Sequence, residues 1–301
     1  QNYLTILLNT KRGKILKICR FDDNQLGLLQ GERVLNVSEA LMVLPSLNWP
    51  YPHGDQLIAN LDAVISVIKN IRDTAPSKSL TNVKLLSPIA NPMNIVGAPI
   101  NYQKHIEESN ADDGIVSQRP ITNIWDWGMF LKSNSSLVGA GEGVALRFTE
   151  NRNDHEVELA AIIGKAGTNI KAENALDHVA GYSIGLDMTT RGKELQSFRK
   201  SSDTYSVLGP WLVTKDEIED PNNLDLSILV NGVERQKSNT SQLVYNVQQC
   251  IEYTTTRYTL YPGDIIMTGT PDGVGPVEPG DTMTAKIEKI GTMKVSVRAA
   301  K

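Results

Sequence analysis

The stretch "DHEVELAAIIG" (154–164) joins an acidic segment to an apolar one without a turn signal between them. Alternation with a period of two predicts a strand over 155–163 that carries Glu156 and Glu158 on the same face. At about 3.3 Å per residue, the two carboxylates start roughly 6–7 Å apart along the backbone, within reach of one cation. The apolar end of the stretch predicts a strand that is buried on both faces.

The residues of this strand leave two interpretations open. One is a half-exposed strand with a solvated acidic face. The other is a cation site, because two buried acids this close would otherwise force one of them to take up a proton. Asp187 ends the apolar run "GYSIGLD" (181–187), where it fits either a third ligand or a turn-capping residue. Three carboxylates without cysteine suit a hard cation such as Mg²⁺ or Mn²⁺.

The composition is ordinary for a globular protein, with 40% hydrophobic and 21% charged residues among 301. A net charge of −4 gives no long-range attraction to nucleic acid or to an anionic membrane. The tightest basic cluster is too small to follow a phosphate backbone, since it consists of Arg191, Lys193, Arg199 and Lys200. No segment approaches the ~20 apolar residues of a membrane span. We therefore expect neither nucleic acid nor a membrane as a partner.

Cysteine usage indicates the compartment. Cys19 and Cys250 are the two cysteines, far apart in the sequence, and they form neither a disulfide framework nor a zinc motif. The N-terminal residues contain no basic region followed by a cleavage site. These features predict a reducing, cytoplasmic location.

The order of the patterns predicts an α+β protein rich in strands. The first ~45 residues alternate apolar runs with turn signals, which is typical of hairpins, and residues 55–74 have helical spacing. A proline-rich linker follows, and short strands dominate from Ala145 onward. We expect a small α/β N-terminal domain over 1–85 and a larger domain over 86–301. The polar stretch from Glu107 to Trp127 lacks periodicity, as lids often do.

His105 and Glu108 form the best acid–base candidate. Residues i and i+3 share a face of a helical turn, so Glu108 could orient the imidazole as a general base. A surface pair of no function is the alternative.

The Gly-rich segment "TGTPDGVG" (268–275) follows an apolar run and lacks the Gly-Lys-Ser/Thr ending of a phosphate loop. It predicts either a close backbone approach to a ligand, with Thr270 offering a hydroxyl group, or a simple turn. Lys132 and Lys200 could each bind a substrate carboxylate, although single lysines are usually solvated.

Together these segments resemble the fumarylacetoacetate hydrolase family over roughly residues 88–295. The resemblance lies in the order and spacing of several motifs, which are "NYQKHIEE", "FLKSNSSLVGAGEGV", "DHEVELAAIIGK", "GYSIGLDMTTR", "RKSSDTYSVLGPWLVT", "LVNGVERQ" and "LYPGDIIMTGTPDGVG". It implies a mixed β-sandwich roll, usually a homodimer, that holds Mg²⁺ or Mn²⁺. Gly192 and the short spacing between Asp187 and Lys200 depart from the family pattern in the pocket wall.

The resemblance also implies a role for each site residue. The metal ligands are Glu156, Glu158 and Asp187, and Asp154 has no counterpart in this triad. The catalytic residues are His105 and Glu108, on a lid at about 103–127, together with Lys200. The substrate-binding residues are Lys132, Arg191, Gly269 and Thr270.

The family chemistry implies a small-molecule 2-oxo acid substrate. Our first expectation is hydrolysis of a C–C bond in a 2,4-dioxo acid, through a metal-stabilised enolate and a water activated by the His–Glu pair. Decarboxylation, isomerisation and hydration of a 2-oxo acid use the same enolate and stay open. A non-catalytic protein that binds an oxo acid is the alternative from another class.

Overall fold

The computed structural model describes residues 16–111 and 124–301. The first 15 residues of the predicted hairpin region and residues 112–123 of the predicted lid lie outside this range. Strands dominate the described chain, and the predicted strand-rich α+β class is confirmed. No described helix is both long enough and apolar enough to cross a membrane.

Twenty strands are present among the described residues. They are β1 Lys17–Phe21, β2 Gln25–Gln30, β3 Arg33–Asn36, β4 Ser77–Ser79, β5 Leu85–Leu86, β6 Ile95–Gly97, β7 Phe130–Lys132, β8 Leu137–Val138, β9 Val144–Leu146, β10 Asn153–His155, β11 Val157–Ile163, β12 Val179–Asp187, β13 Thr189–Thr190, β14 Ser206–Thr214, β15 Asp225–Val230, β16 Val233–Asn239, β17 Ile265–Met267, β18 Gly275–Pro276, β19 Thr282–Ile287 and β20 Gly291–Ala299.

The helices within the same ranges are short. The α-helices are α1 Gln56–Ala59, α2 Leu61–Ile71, α3 Gln103–Ala111, α4 Ile124–Trp127, α5 Gln196–Arg199 and α6 Val247–Thr255. The 3₁₀ helices are Ser38–Val43, Leu80–Asn82, Asn134–Ser136, Ala172–His178, Lys215–Glu217 and Thr240–Gln242.

The strands form three sheets. The largest has the order β4-β3-β2-β1-β14-β12-β11-β17-β6-β7, with β5 beside β1 and β8 beside β14. The second has the order β16-β15-β19-β20-β9, and the smallest has the order β13-β10-β18. The N-terminal hairpins therefore continue the same sheet as the later strands, because β1 pairs with β14. A domain boundary near residue 85 stays a prediction.

Strand β11 is buried on both faces, as its apolar sequence predicts. Alternate residues face two hydrophobic cores. The first core contains Val157, Leu159, Ala161 and Ile163 and also the inner face of the second sheet, including Ile228, Ala285 and Val295. The other contains Ala160 and Ile162 with Val64 and Ile68 of α2. The centre of the large sheet is therefore covered on both sides, which gives β11 a rigid position.

Asp264 ties the linker before β6 to the turn before β17. Its carboxylate accepts hydrogen bonds from the amides of Met93 (2.9 Å), Asn94 (2.8 Å) and Tyr261 (2.9 Å). The residue is fully buried. Removing the acceptor leaves three backbone donors without a partner, and each unsatisfied buried donor is costly.

We therefore expect Asp264→Ala to lower the free energy of unfolding by about 3–5 kcal/mol, measured by urea denaturation. Asp281→Ala is the matched control, because Asp281 also accepts a backbone amide, that of Glu278 at 2.8 Å, but lies near the surface. The control should lose no more than about 1 kcal/mol. Equal losses in the two variants would contradict the role given to Asp264.

Candidate metal centre and active site

The pairing of β11 with β12 brings three acids together. The two strands are antiparallel, with Glu158 opposite Gly185, and the Asp187 amide donates to the Glu156 carbonyl at 3.0 Å. The start of β11 therefore lies beside the end of β12. Glu156, Glu158 and Asp187 are all buried, and each offers a carboxylate oxygen within 4.8 Å of the others. They form the one such acidic cluster among residues 16–111 and 124–301.

Cations contact two of the three acids. Lys200 Nζ donates to Glu156 Oε2 and to Asp187 Oδ2, at 2.7 Å each. Arg191 Nη2 donates to Glu156 Oε1 at 3.2 Å, and Lys132 Nζ forms a short hydrogen bond to Asp187 Oδ1. Glu158 has no cationic partner within the described chain and accepts the Gly269 amide at 2.8 Å.

Because Glu156 has cationic partners among the described residues and Glu158 does not, the two carboxyl groups differ in pKa. Burial by itself raises the pKa of both carboxyl groups. At Glu156 the positive charges of Lys200 and Arg191 outweigh burial, so the pKa is lowered. At Glu158 the negative charges of Asp187 and Glu156 add to burial, and the pKa is raised well above the usual value. A bound cation would therefore favour the ionised form of Glu158 more than that of Glu156.

The chemistry of this donor set fits a hard divalent cation. Carboxylate oxygens are the ligands that Mg²⁺ and Mn²⁺ prefer, and a few carboxylates leave positions for water and substrate. Lys200 acts on Glu158 only through its charge at a distance, and no cationic side chain among the described residues forms an ion pair with Glu158. Glu156, Glu158 and Asp187 would therefore hold the ion.

The Gly-rich loop contacts the acidic cluster through a backbone amide, that of Gly269, which donates to Glu158. Gly269 has a φ of 104°, and an added Cβ would lie 2.6 Å from that of Asn101, so only glycine fits. The Thr270 hydroxyl donates to the Val157 carbonyl at 2.8 Å and accepts from Gln236 at 2.8 Å. The Gly269 amide and the Thr270 hydroxyl thus donate to residues of β11, and a part for either residue in substrate binding stays a prediction.

The His–Glu pair lies on α3 with the predicted geometry. His105 Nδ1 is 2.8 Å from Glu108 Oε2, and Glu108 Oε1 accepts the Gly273 amide at 3.0 Å. The imidazole is buried and lines the same cavity as Glu156 and Glu158. Because Nδ1 is held by Glu108, Nε2 is the nitrogen left to exchange a proton with a ligand.

The cavity at these residues is small, about 30 Å³, because Lys200 reaches across the acids. Its lining contains six residues that the sequence pointed to, which are His105, Glu156, Glu158, Arg191, Lys200 and Thr270. Sequence reasoning missed Phe130, Gln196 and Arg199, which also line it. For Arg199 a signal existed, because it belongs to the basic cluster that we considered only for nucleic acid.

Two further residues lie behind the cavity wall. Lys132 does not line the cavity, and its Nζ also donates to the Tyr205 carbonyl at 3.0 Å. Asp154 is not one of the three clustered acids, but it is buried and accepts from Arg152 Nε and Arg191 Nε at 2.8 Å each. It therefore fixes the Arg191 guanidinium that contacts Glu156.

A larger cavity of about 1060 Å³ lies between the N-terminal hairpins and the loop before α1. Its lining is mainly apolar and contains two charged residues, Arg20 and Asp55. The Asp55 carboxylate is already occupied by four backbone amides. The acid–base and metal-binding groups are therefore concentrated at the smaller cavity.

The chain is similar to known proteins over most of its length. The family model described as fumarylacetoacetate (FAA) hydrolase C-terminal matches residues 94–298. A maleylpyruvate hydrolase of Aquipseudomonas alcaligenes is 53% identical over 288 residues, which cover 94% of this chain and 100% of that protein. A mitochondrial oxaloacetate tautomerase of Xenopus laevis is 39% identical over 228 residues, 71% of this chain and 68% of that protein.

Solved structures show the same similarity. A crystal structure of maleylpyruvate hydrolase from a Sphingobium species, in complex with manganese(II) ion and pyruvate, has a TM-score of 0.80 to this chain. The two sequences are 34% identical, and the match covers 95% of this chain and 100% of that chain.

Proposed function

The chain belongs to the fumarylacetoacetate hydrolase family, and from that membership we propose that it is a metal-dependent enzyme that hydrolyses acylpyruvates. These 2,4-dioxo acids are cleaved between C3 and C4 to pyruvate and a carboxylic acid. Maleylpyruvate is the first candidate substrate, because a maleylpyruvate hydrolase is 53% identical along nearly the whole chain. The observation that carries the proposal is a cavity lined by His105, which contacts Glu108, and by Glu156 and Glu158, which cluster with Asp187.

Mg²⁺ or Mn²⁺ is the proposed cofactor, held by Glu156, Glu158 and Asp187. The manganese(II) in the Sphingobium structure supports Mn²⁺. When bound, the ion would supply Lewis acidity toward the oxygens of the 2-oxo acid.

His105 is the proposed general base. Its Nε2 would take a proton from water, and Glu108 would stabilise the imidazolium through Nδ1. The resulting hydroxide adds to C4, the C3–C4 bond breaks, and its electron pair stays with C3 of the pyruvate enolate. His105 can return its proton to C3, which balances the reaction.

The remaining polar residues position the reacting groups. Lys200 contacts two of the three acids and lines the cavity, so we assign it to a reacting carbonyl oxygen. Lys132 contacts Asp187 from behind, which favours a positioning role over direct substrate binding. Arg191, Gly269 and Thr270 stay candidates for the substrate carboxylate.

The test of this proposal is product analysis with Mn²⁺ present and with chelator. The ultraviolet absorbance of the 2,4-dioxo group reports its loss directly. We expect metal-dependent conversion of maleylpyruvate or acetylpyruvate to one pyruvate and one acid per substrate. Absence of cleavage of every acylpyruvate offered would overturn the proposal.

Tautomerisation of oxaloacetate is the second candidate, because an oxaloacetate tautomerase is 39% identical to this chain. It requires proton transfer at C3 but no water attack. Rapid enol–keto conversion of oxaloacetate without cleavage of acylpyruvates would favour it. Decarboxylation would instead release carbon dioxide in the same assays.

Lys200 provides a prediction that separates metal binding from turnover. Its ammonium contacts Glu156 and Asp187, so it competes electrostatically with a divalent cation for the same carboxylates. We expect Lys200→Met to bind Mn²⁺ about tenfold more tightly or better, yet to hydrolyse acylpyruvate at least about 100-fold more slowly. Calorimetric titration and steady-state kinetics measure the two effects, with Lys193→Met as control. Weaker Mn²⁺ binding in Lys200→Met would contradict the competition.

The cellular location and the oligomeric state are also proposals. A cytoplasmic location is supported by the two buried free thiols, which suit a reducing compartment. Assembly as a homodimer rests on family membership, and light scattering of the purified chain would test it.

A further inference from the structure

Arg199 is a cation of the active-site cavity that forms no ion pair within the part of the chain that the structure describes. Three cationic residues line this cavity, which are Arg191, Arg199 and Lys200. Arg191 pairs with Asp154 and Glu156, and Lys200 with Glu156 and Asp187. Arg199 forms no ion pair with any residue in 16–111 or 124–301, and its Nη1 is a buried donor without an acceptor.

This arrangement is costly unless a ligand completes it. A guanidinium stays charged in proteins, and an unsatisfied buried donor forfeits its hydrogen bonds to water. Burial and then the like charge of Arg191 lower the pKa of Arg199, and the charges of Glu156, Asp187 and Glu194 offset only part of this effect. The chain therefore holds a positive charge against desolvation and repulsion at a position that a substrate can reach.

Arg199 lies outside contact with the metal centre. Lys200, the next residue, contacts two of the three clustered acids at 2.7 Å, whereas no carboxylate oxygen of the described residues lies within ion-pair distance of Arg199. The 2-oxo acid end of the substrate belongs at the acids. Arg199 is thus suited to a negative group at the other end of the molecule.

Gln196 lies beside Arg199 and offers a second group that could bind the same negative group of the substrate. It lies three residues before Arg199 on α5, so the two side chains share a helix face, and both line the cavity. An amide and a guanidinium together can bind the two oxygens of one carboxylate, and an arginine can bind it through two parallel hydrogen bonds.

We propose that Arg199, assisted by Gln196, binds a second carboxylate of the substrate and makes the enzyme selective for dicarboxylic acylpyruvates. The inference rests on the proposed hydrolysis and adds the substrate class and the residue that selects it.

Kinetics on a dicarboxylic and a monocarboxylic substrate test this assignment. Maleylpyruvate carries the second carboxylate, and acetylpyruvate lacks it. We expect Arg199→Met to lower kcat/KM for maleylpyruvate about 100-fold, chiefly through KM, and to change that for acetylpyruvate by no more than about threefold. Lys193→Met, which removes a nearby exposed charge outside the cavity, should change neither.

Each other outcome has a definite meaning. Equal losses on both substrates in Arg199→Met would overturn the inference, because Arg199 would then act on Lys200 or on the fold. If that variant does not fold, Arg199→Lys replaces it, with an expected loss confined to maleylpyruvate. Should wild-type protein cleave neither substrate, the proposed function fails first and this inference with it. Cleavage of both with no effect of Arg199 leaves hydrolysis standing and refutes only the selectivity.

Discussion

Replacing Glu158 with glutamine is expected to reduce Mn²⁺ affinity by at least about 100-fold and to abolish metal-dependent hydrolysis. Glu158 is the cleanest of the three acids to replace, because it has no cationic partner within the described chain and its main contact is the Gly269 amide. Glutamine keeps an oxygen for that amide. The change therefore removes one negative charge and one ligand while the shape of the site survives.

The same substitution should stabilise the metal-free protein at neutral pH. The pKa of Glu158 is raised in the folded state, so above the ordinary glutamate pKa the unfolded chain binds fewer protons than the folded one. Stability then falls as pH rises from about 4.5, the ordinary pKa of a glutamate, toward the folded-state pKa. Glu158→Gln lacks this loss. Urea denaturation in chelator at pH 5 and pH 8 should show a weaker pH dependence in the variant.

Glu142→Gln is the matched control for both measurements. Glu142 also accepts a backbone amide, that of Gly139 at 2.7 Å, but does not belong to the acidic cluster. It should keep wild-type activity, Mn²⁺ affinity and pH dependence. Full activity in Glu158→Gln would remove Glu158 from the metal site.

Replacing His105 with alanine is expected to lower kcat for acylpyruvate by about 10²–10⁴-fold, the usual contribution of a general base. Mn²⁺ affinity should stay within about threefold of wild type, because the imidazole is not one of the three clustered acids. Stopped-flow absorbance gives the rate, and calorimetry gives the affinity.

Two further variants show whether a loss of activity in His105→Ala comes from the proposed general base. Glu108→Gln keeps a hydrogen-bond acceptor for Nδ1 but loses the charge, so an intermediate loss of kcat is expected. His178→Ala serves as control, since His178 hydrogen-bonds the Lys165 carbonyl away from the cavity. Unimpaired turnover in His105→Ala would leave the water without its proposed base and would favour the tautomerase or a binding role.

Local patterns predicted the parts of the site that depend on one segment. Alternation over 155–163 anticipated that Glu156 and Glu158 lie together, although the predicted single strand is divided, with Glu156 between the end of β10 at His155 and the start of β11 at Val157. The i, i+3 spacing anticipated the contact between His105 and Glu108. The family resemblance then connected these segments to Asp187. In each case the contact follows from the periodicity of one strand or helix.

Local patterns could not predict the contacts between segments that are distant in the sequence. The pairing of β1 with β14 joins the N-terminal hairpins to the large sheet, and nothing in either strand specifies that partner. Lys132 lies behind Asp187 and Asp154 holds Arg191, yet in sequence both resemble ordinary charged residues. Arg199 shows the same limit, because its missing partner is a property of the assembled cavity.

The most direct test of the central claim is a titration with Mn²⁺, followed by the electron paramagnetic resonance signal of the free ion. Wild type, Glu158→Gln and His105→Ala are compared at one pH. We expect one bound ion per chain in wild type and in His105→Ala, and an affinity reduced by at least about 100-fold in Glu158→Gln. Equal affinity in all three proteins would contradict a metal centre built on Glu156, Glu158 and Asp187.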